Sequence, residues 1–489
     1  MTTSIPLLTL LLILFNSSCT KGNININSKP NIYNGFHNEA NAFIKKNSIK
    51  GLAIAIFDNK EIIWKNSYGK STYQNRINDS TMFSIQSVSK NITALAVMIA
   101  VEEGILDIDV PISEYLPDFK VNTCFEQNSE TKITLRLLLS NTSGLPHEAP
   151  IGNNFDYSFV SIEEHLKSIE KSWLRFPVGT DYSYSNLGFD LAAQIVEKVS
   201  GLAFDEFLQV KVFQPLGMNN STVNNQVVVN EKNKTNGIEF GVKRKHYPIP
   251  LIGSGAVYSS LYDMVKYVQM HLNYGEYDDE RLINRESLFE LYKVNLNNYG
   301  LGTYIDTLYG SYYLNHNGGG FGFESSILWF PEYNIGCLVL ANKPANCFTL
   351  ASAIISEYIN ANNPSRIRDT LSTNGFNPFG SLKVKMDGVL YCINDSIFKD
   401  EWVQYLGSYK VIIGGREFMW YAKIAFAFGY KPFTIKVSKI DNKLWLNTSW
   451  LGKSKLYEYQ PGLFFTKGGR ALDLRDSNLT YDNLKIVKY

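Results

Sequence analysis

The chain reads as an α/β (α+β) protein: an antiparallel sheet flanked by helices, interrupted by an inserted, mainly helical region and followed by a small all-β barrel or sandwich domain. Three observations predict this. A hairpin signal stands early, with apolar Leu52–Phe57, turn residues Asp58-Asn59-Lys60 and a second run Ile62–Trp64, while further strand-like runs return only after Gly300. Between them, residues 85–250 are rich in helical periodicity and loops. Beyond residue 385 the texture changes to short strands at close spacing.

Taken in order, Ile5–Phe15 is almost continuously apolar, too short to span a bilayer but suited to the core of a signal peptide. Ser17-Ser18-Cys19 resembles the end of a bacterial lipoprotein signal, with Cys19 the residue that would carry lipid. This divides the chain into a signal peptide at 1–22, a polar tether at 23–32, a main domain at 33–362, a linker at 363–384 rich in Asn, Pro, Ser, Thr and Gly, and an all-β domain at 385–489. The expected location is the cell envelope, with membrane attachment through Cys19. Within the main domain, helices are predicted over Phe36–Lys46, Ser89–Glu103 with Gly104 as its stop, Leu187–Val199 before Gly201, Ala256–Leu272 after the Gly253-Ser254-Gly255 turn, and Phe348–Ile359. Ser325–Phe330 and Ile335–Leu340 are predicted strands joined by Pro331-Glu332-Tyr333-Asn334. In the last domain, Gly414-Gly415, Asp441-Asn442 and Gly468-Gly469 mark turns.

Composition excludes several function classes. With 489 residues the chain exceeds one ordinary domain. Lys and Arg number 47 against 46 Asp and Glu, so no basic field points to nucleic acid. The 6 histidines are scattered without metal-ligand spacing, and no metal or cofactor is expected. Cys124, Cys337, Cys347 and Cys392 show no framework spacing and read as buried free thiols.

A serine is a poor nucleophile unless a neighbour removes its proton. A lysine three residues later on a helix shares its face. Ser87-Val88-Ser89-Lys90 has that spacing at the start of a helix with the apolar run Ala94–Val101. Matching spacings at Ser18, Ser67, Ser129, Ser168 and Ser396 lack such a helix. Burial disfavours a charged lysine, so the context makes Lys90 a candidate proton acceptor; spacing alone is equally met by a surface lysine in a first helical turn.

The stretch Phe83–Ala94, with Glu102–Asp107, Leu137–Leu145 and Pro215-Leu216-Gly217-Met218, resembles the serine β-lactamase and penicillin-binding-protein superfamily, in particular the branch holding class C β-lactamases, D-alanyl-D-alanine carboxypeptidases, D-aminopeptidases and esterases. The likeness spans roughly residues 35–360. It implies the β-lactamase/transpeptidase-like fold and a serine hydrolase working through an acyl-enzyme. Ser87 would be the nucleophile, Lys90 and Tyr184 its proton handlers. Tyr184-Ser185-Asn186 and His316-Asn317-Gly318 match the family's second and third motifs. Asn186 would orient Lys90 and hold substrate, and a nearby cation would lower the Tyr184 phenol pKa so that it acts as base. His316 and Gly318 would assist or touch substrate, with the backbone N–H groups of Ser87 and Gly319 forming an oxyanion hole.

The family's Lys-Thr-Gly is replaced by His-Asn-Gly. That departure favours small esters, amides or D-amino-acid peptides as substrates over efficient β-lactam hydrolysis. Alternatives are a peptidoglycan D,D-carboxypeptidase or weak β-lactamase and, in another class, a non-hydrolytic penicillin-type sensor. Asn141 stands where a histidine is common, a change read as minor. The last domain resembles the lipocalin-like accessory domains that follow some of these hydrolases. Phe418, Trp420, Tyr421, Trp445 and Trp450 there serve either a binding face or a core.

Overall fold

The structure, a computed structural model, describes residues 30–71, 75–154, 160–239, 241–244, 246, 248–308, 311–362, 397–412, 433–475 and 477–488. The signal-like segment with Cys19, the linker, Cys392, the Gly414-Gly415 turn, Phe418, Trp420 and Tyr421 lie outside the described residues. Among the described residues no helix is long and apolar enough to cross a membrane.

The main domain is built on a six-stranded antiparallel sheet. Its strands are β1 (Gly51–Phe57), β2 (Ile62–Gly69), β3 (Tyr304–Leu308), β4 (Ser311–Gly320), β5 (Phe323–Phe330) and β6 (Ile335–Ala341), in the order β2-β1-β6-β5-β4-β3. The two ends of the domain therefore meet in one sheet, as the two separated strand regions predict. Strands β1 and β6 at the centre are apolar throughout because both faces are covered. Along β1, Ala53, Ala55 and Phe57 enter one core while Leu52, Ile54 and Ile56 enter the other. The second core is closed by α1 (Pro30–Asn47) and α5 (Cys347–Asn362), the first by the inserted helices. Burying each large aliphatic side chain contributes about 1.5–3 kcal/mol.

The inserted region supplies α2 (Ser89–Glu102), α3 (Asn186–Ser200) and α4 (Leu261–Leu272). Gly104 at φ 73° and Gly201 at φ 72° sit past the ends of α2 and α3 in the left-handed conformation that stops a helix. Helix α4 begins five residues later than its periodicity predicts. Tyr258-Ser259 instead pairs with Phe83-Ser84, the approach to Ser87, and Ser260 caps the helix through Asp263 N. Tertiary pairing thus overrides local pattern.

The last domain is a closed eight-stranded barrel: β7 (Gly407–Val411), β8 (Thr434–Ile440), β9 (Lys443–Thr448), β10 (Gly452–Gln460), β11 (Leu463–Thr466), β12 (Ala471–Asp473), β13 (Thr480–Tyr481) and β14 (Leu484–Lys488). Tyr409 opposite Lys488 closes it. Trp402, Tyr409, Val437, Leu446 and Phe464 fill its core, with Trp450 packed against that core. A separate apolar cluster forms the seam with the main domain, where Trp173 and Phe176 meet Tyr457, Leu463 and Phe465. Cys337 and Cys347 are buried free thiols, and Cys124 is half-buried.

Candidate active site

The site forms where α2 starts against the sheet. Ser87 lies in a short 3-10 turn, Gln86–Val88, that runs into α2. Gln86 holds φ 51°, an unfavourable conformation for a side-chain-bearing residue. It is tied down by its amide to Ser84 Oγ (2.6 Å) and by Ser89 Oγ to its carbonyl (2.6 Å). In a segment that is otherwise buried, Ser87 alone keeps partial exposure, so its hydroxyl faces the cleft.

Lys90 is 0% exposed, on the same helix face as Ser87. Its Nζ lies 3.1 Å from Ser87 Oγ, 2.7 Å from Asn186 Oδ1 and 2.9 Å from the Ser254 carbonyl. The amide and carbonyl oxygens can only accept. A neutral amine satisfies both with its two N–H bonds and leaves its lone pair for the Ser87 hydroxyl. Burial drives the Lys90 pKa from 10.5 down to about 7, with Asp190 and Glu148 pulling upward against it. At neutral pH the proton-accepting form is therefore well populated.

Tyr184 projects from the segment before α3. Its ring lies 4.8 Å from Lys90 Nζ, and the Ser87 hydroxyl beside it draws its pKa down. Burial outweighs that pull and raises the phenol above 10, the reverse of the lowering expected from a neighbouring cation. The physical reason is that Lys90 loses its charge near pH 7, well below the pH at which the buried phenol would ionise, so no cation is left beside it to stabilise a phenolate. The arrangement suits Lys90 as proton acceptor and Tyr184 as a protonated donor.

Strand β4 carries the third motif to the cleft. A β-carbon on Gly318 would fall 2.1 Å from the Ile85 carbonyl oxygen and 2.9 Å from Ser87 N, so only glycine permits this approach. Gly319 follows directly. His316 is buried, its Nε2 3.0 Å from Tyr299 Oη and its Nδ1 2.8 Å from the Asn317 carbonyl. Burial, then the nearby Lys90, push its pKa down to about 3, so it stays neutral. Its ring packs 6.3 Å from Tyr184 and 5.6 Å from Tyr304, which makes it a wall of the tyrosine pocket.

Two residues that sequence reasoning passed over, Asp190 and His147, and one read as a minor change, Asn141, belong to the surroundings. Asp190, one turn after Asn186 on α3, accepts Gly253 N (3.0 Å) and Ser254 N (2.9 Å) on Oδ1 and Ser254 Oγ (3.1 Å) on Oδ2, so it fixes the carbonyl that Lys90 meets; His165 Nε2 also lies 3.1 Å from Oδ2. The helical spacing from Asn186 was the available signal. His147 stacks on Tyr184 at 5.5 Å between ring centroids, and its carbonyl accepts Asn186 N at 3.1 Å. Asn141, read as a minor change, has φ 60°, accepts Ser185 N on its side chain (2.9 Å) and Ser183 N on its carbonyl (2.8 Å), and so brackets Tyr184. Asparagine tolerates this left-handed backbone better than most residues.

The family model described as Beta-lactamase matches residues 36–354. The chain is 25% identical over 329 residues to Penicillin-binding protein 4* of Bacillus subtilis (strain 168), covering 61% of this chain and 69% of that protein. It is 26% identical over 312 residues to the D-alanyl-D-alanine-carboxypeptidase/endopeptidase AmpH of Escherichia coli (strain K12), covering 60% and 79%. An octameric penicillin-binding protein homologue from Pyrococcus abyssi has the same fold, with TM-score 0.61 at 19% identity over 94% of this chain and 98% of that one.

Proposed function

As the chain belongs to the Beta-lactamase family of serine hydrolases, we propose that it cleaves small esters, amides or D-amino-acid peptides through an acyl-enzyme on Ser87. The observation that carries the reading is the buried Lys90 amine, 3.1 Å from Ser87 Oγ with its pKa drawn to about 7. Ser87 Oγ attacks the carbonyl carbon while its proton passes to Lys90. The oxyanion is held by the N–H groups of Ser87 and Gly319, each such donor lowering the barrier by about 3 kcal/mol. Tyr184 gives its phenolic proton to the leaving group and regains one from Lys90. Water then attacks the acyl carbon, its proton leaving by the same route, and Ser87 is restored. Asn186 keeps Lys90 aimed.

A second reading, removal of a terminal D-alanine from peptidoglycan peptides, draws support from the likeness to AmpH. The proposal places the protein in the cell envelope, held by lipid on Cys19; the support is the signal-like sequence of residues 1–22. A fluorescent fluorophosphonate probe and a panel of nitrophenyl esters, D-alanyl peptides and nitrocefin test the chemistry, with Ser87→Ala as control. Labelling and turnover that vanish in Ser87→Ala are expected. Labelling without turnover of any substrate would favour a sensor instead.

A further inference from the structure

We propose that the barrel contributes to catalysis: its Asp482-Asn483 turn is a positioning element that holds the two chain segments on either side of Tyr184. The inference rests on the reading of Ser87, Lys90 and Tyr184 given above.

The turn is a two-residue hairpin between β13 and β14, with Asp482 at φ 50° and Asn483 at φ 69°, so both side chains are presented by a tight, right-twisted corner. Asp482 meets Arg175 of the main domain through both carboxylate oxygens, with Nε at 3.2 Å, and also receives Arg470 Nη1 at 2.7 Å. Arg175 is 4% exposed, and its remaining Nη1 donates to Ser183 Oγ at 2.8 Å. Ser183 precedes Tyr184 and donates in turn to the Leu145 carbonyl at 3.0 Å. The ion pair thus reaches the phenol's own segment through one side chain.

Asn483 reaches the other flank. Its Nδ2 donates to the Glu148 carbonyl (2.8 Å) and to Ser172 Oγ (3.0 Å). Glu148 follows His147, the residue stacked on Tyr184. The Glu148 carboxylate is held by Asn154 N (3.0 Å) and Nδ2 (2.6 Å) and lies 2.8 Å from His147 Nδ1. A second barrel turn locks the same place: a β-carbon on Gly469, at φ 68°, would fall 1.9 Å from the Arg175 carbonyl oxygen. Removing one partner of a buried pair is strongly destabilising, so the pair favours this docked arrangement of the seam. Simple tethering of two domains needs only the apolar patch around Trp173 and Phe465; polar ties running to both neighbours of one phenol do more.

The test uses the full chain carrying Asn483→Ala or Asp482→Asn, with Lys485→Ala on the exposed side of β14 as control. Read out the rate of Ser87 acylation by the fluorophosphonate probe, kcat and KM on the best nitrophenyl ester, and the melting transition. The expected result is a fall in acylation rate and kcat of about 10- to 100-fold, as for a reacting group displaced by a fraction of an ångström to 1 Å, with KM within about threefold, one cooperative melt and no change in the control. Asn483→Ala removes no charge and keeps the test valid if Asp482→Asn folds poorly. Wild-type rates in both variants overturn the inference alone. A wild type that neither labels nor turns over overturns the reading of Ser87 itself.

Discussion

Lys90 at the start of α2 and Arg175 at the seam with the barrel are both buried cations, at 0% and 4% exposure, yet their surroundings differ in kind. Lys90 meets a hydroxyl, an amide oxygen and a carbonyl oxygen, none of them charged, and the carboxylates of Asp190 and Glu148 act on it from a distance. Arg175 meets the Asp482 carboxylate directly. Burial makes a charge costly in both places, but the partners decide whether it is kept. Neutral oxygens serve a neutral amine as well as an ammonium, so Lys90 can release its proton near neutrality. A guanidinium keeps its charge and a carboxylate fork holds it in one orientation, so Arg175 suits a fixed joint. Asp482 mirrors this: burial works to raise its pKa, but Arg175 and Arg470 outweigh it and hold it below the usual carboxylate value.

Substitutions that swap these two behaviours break the comparison. The largest effect is expected for Lys90→Met, which keeps the bulk of the side chain and removes the proposed proton acceptor. The acylation rate should fall by about 10³-fold or more while the fold persists, measured by probe labelling and by circular dichroism. Next comes Arg175→Met. Breaking the buried pair leaves Asp482 with Arg470 alone and costs up to about 3–5 kcal/mol; chemical denaturation measures it, and the pH at which activity appears should not move. The smallest and most diagnostic is Asp190→Asn. Asp190 raises the Lys90 pKa, so removing its charge should shift the acid limb of the rate profile to lower pH. A shift upward would mean that the lost hydrogen bonds to Gly253 and Ser254 matter more than the lost charge.

Much of this arrangement is readable from residues alone. The three-residue spacing of Ser87 and Lys90, and the apolar helix after them, already imply a hydroxyl beside a buried amine. The glycines of 318–320 imply close approach of the backbone to a ligand; at Gly318 the close neighbour within the protein is the Ile85 carbonyl oxygen. The rest depends on long-range packing. The start of α4 is set by pairing of Tyr258-Ser259 with Phe83-Ser84, which periodicity cannot see. The direction of the Tyr184 shift depends on how completely the ring is enclosed by Tyr299, His316 and His147. The joint between Arg175 and Asp482 links residues 307 apart in the chain and leaves no local pattern.

The pH dependence of Ser87 acylation tests the central claim most directly, because only a neutral Lys90 can take the Ser87 proton. A lysine pKa lowered to about 7 requires the rate to rise through that pH and level off above it, with the limb absent in Lys90→Met. A rate flat from about pH 5.5 to 8.5, or one still climbing toward the ordinary lysine value near 10.4, would contradict it.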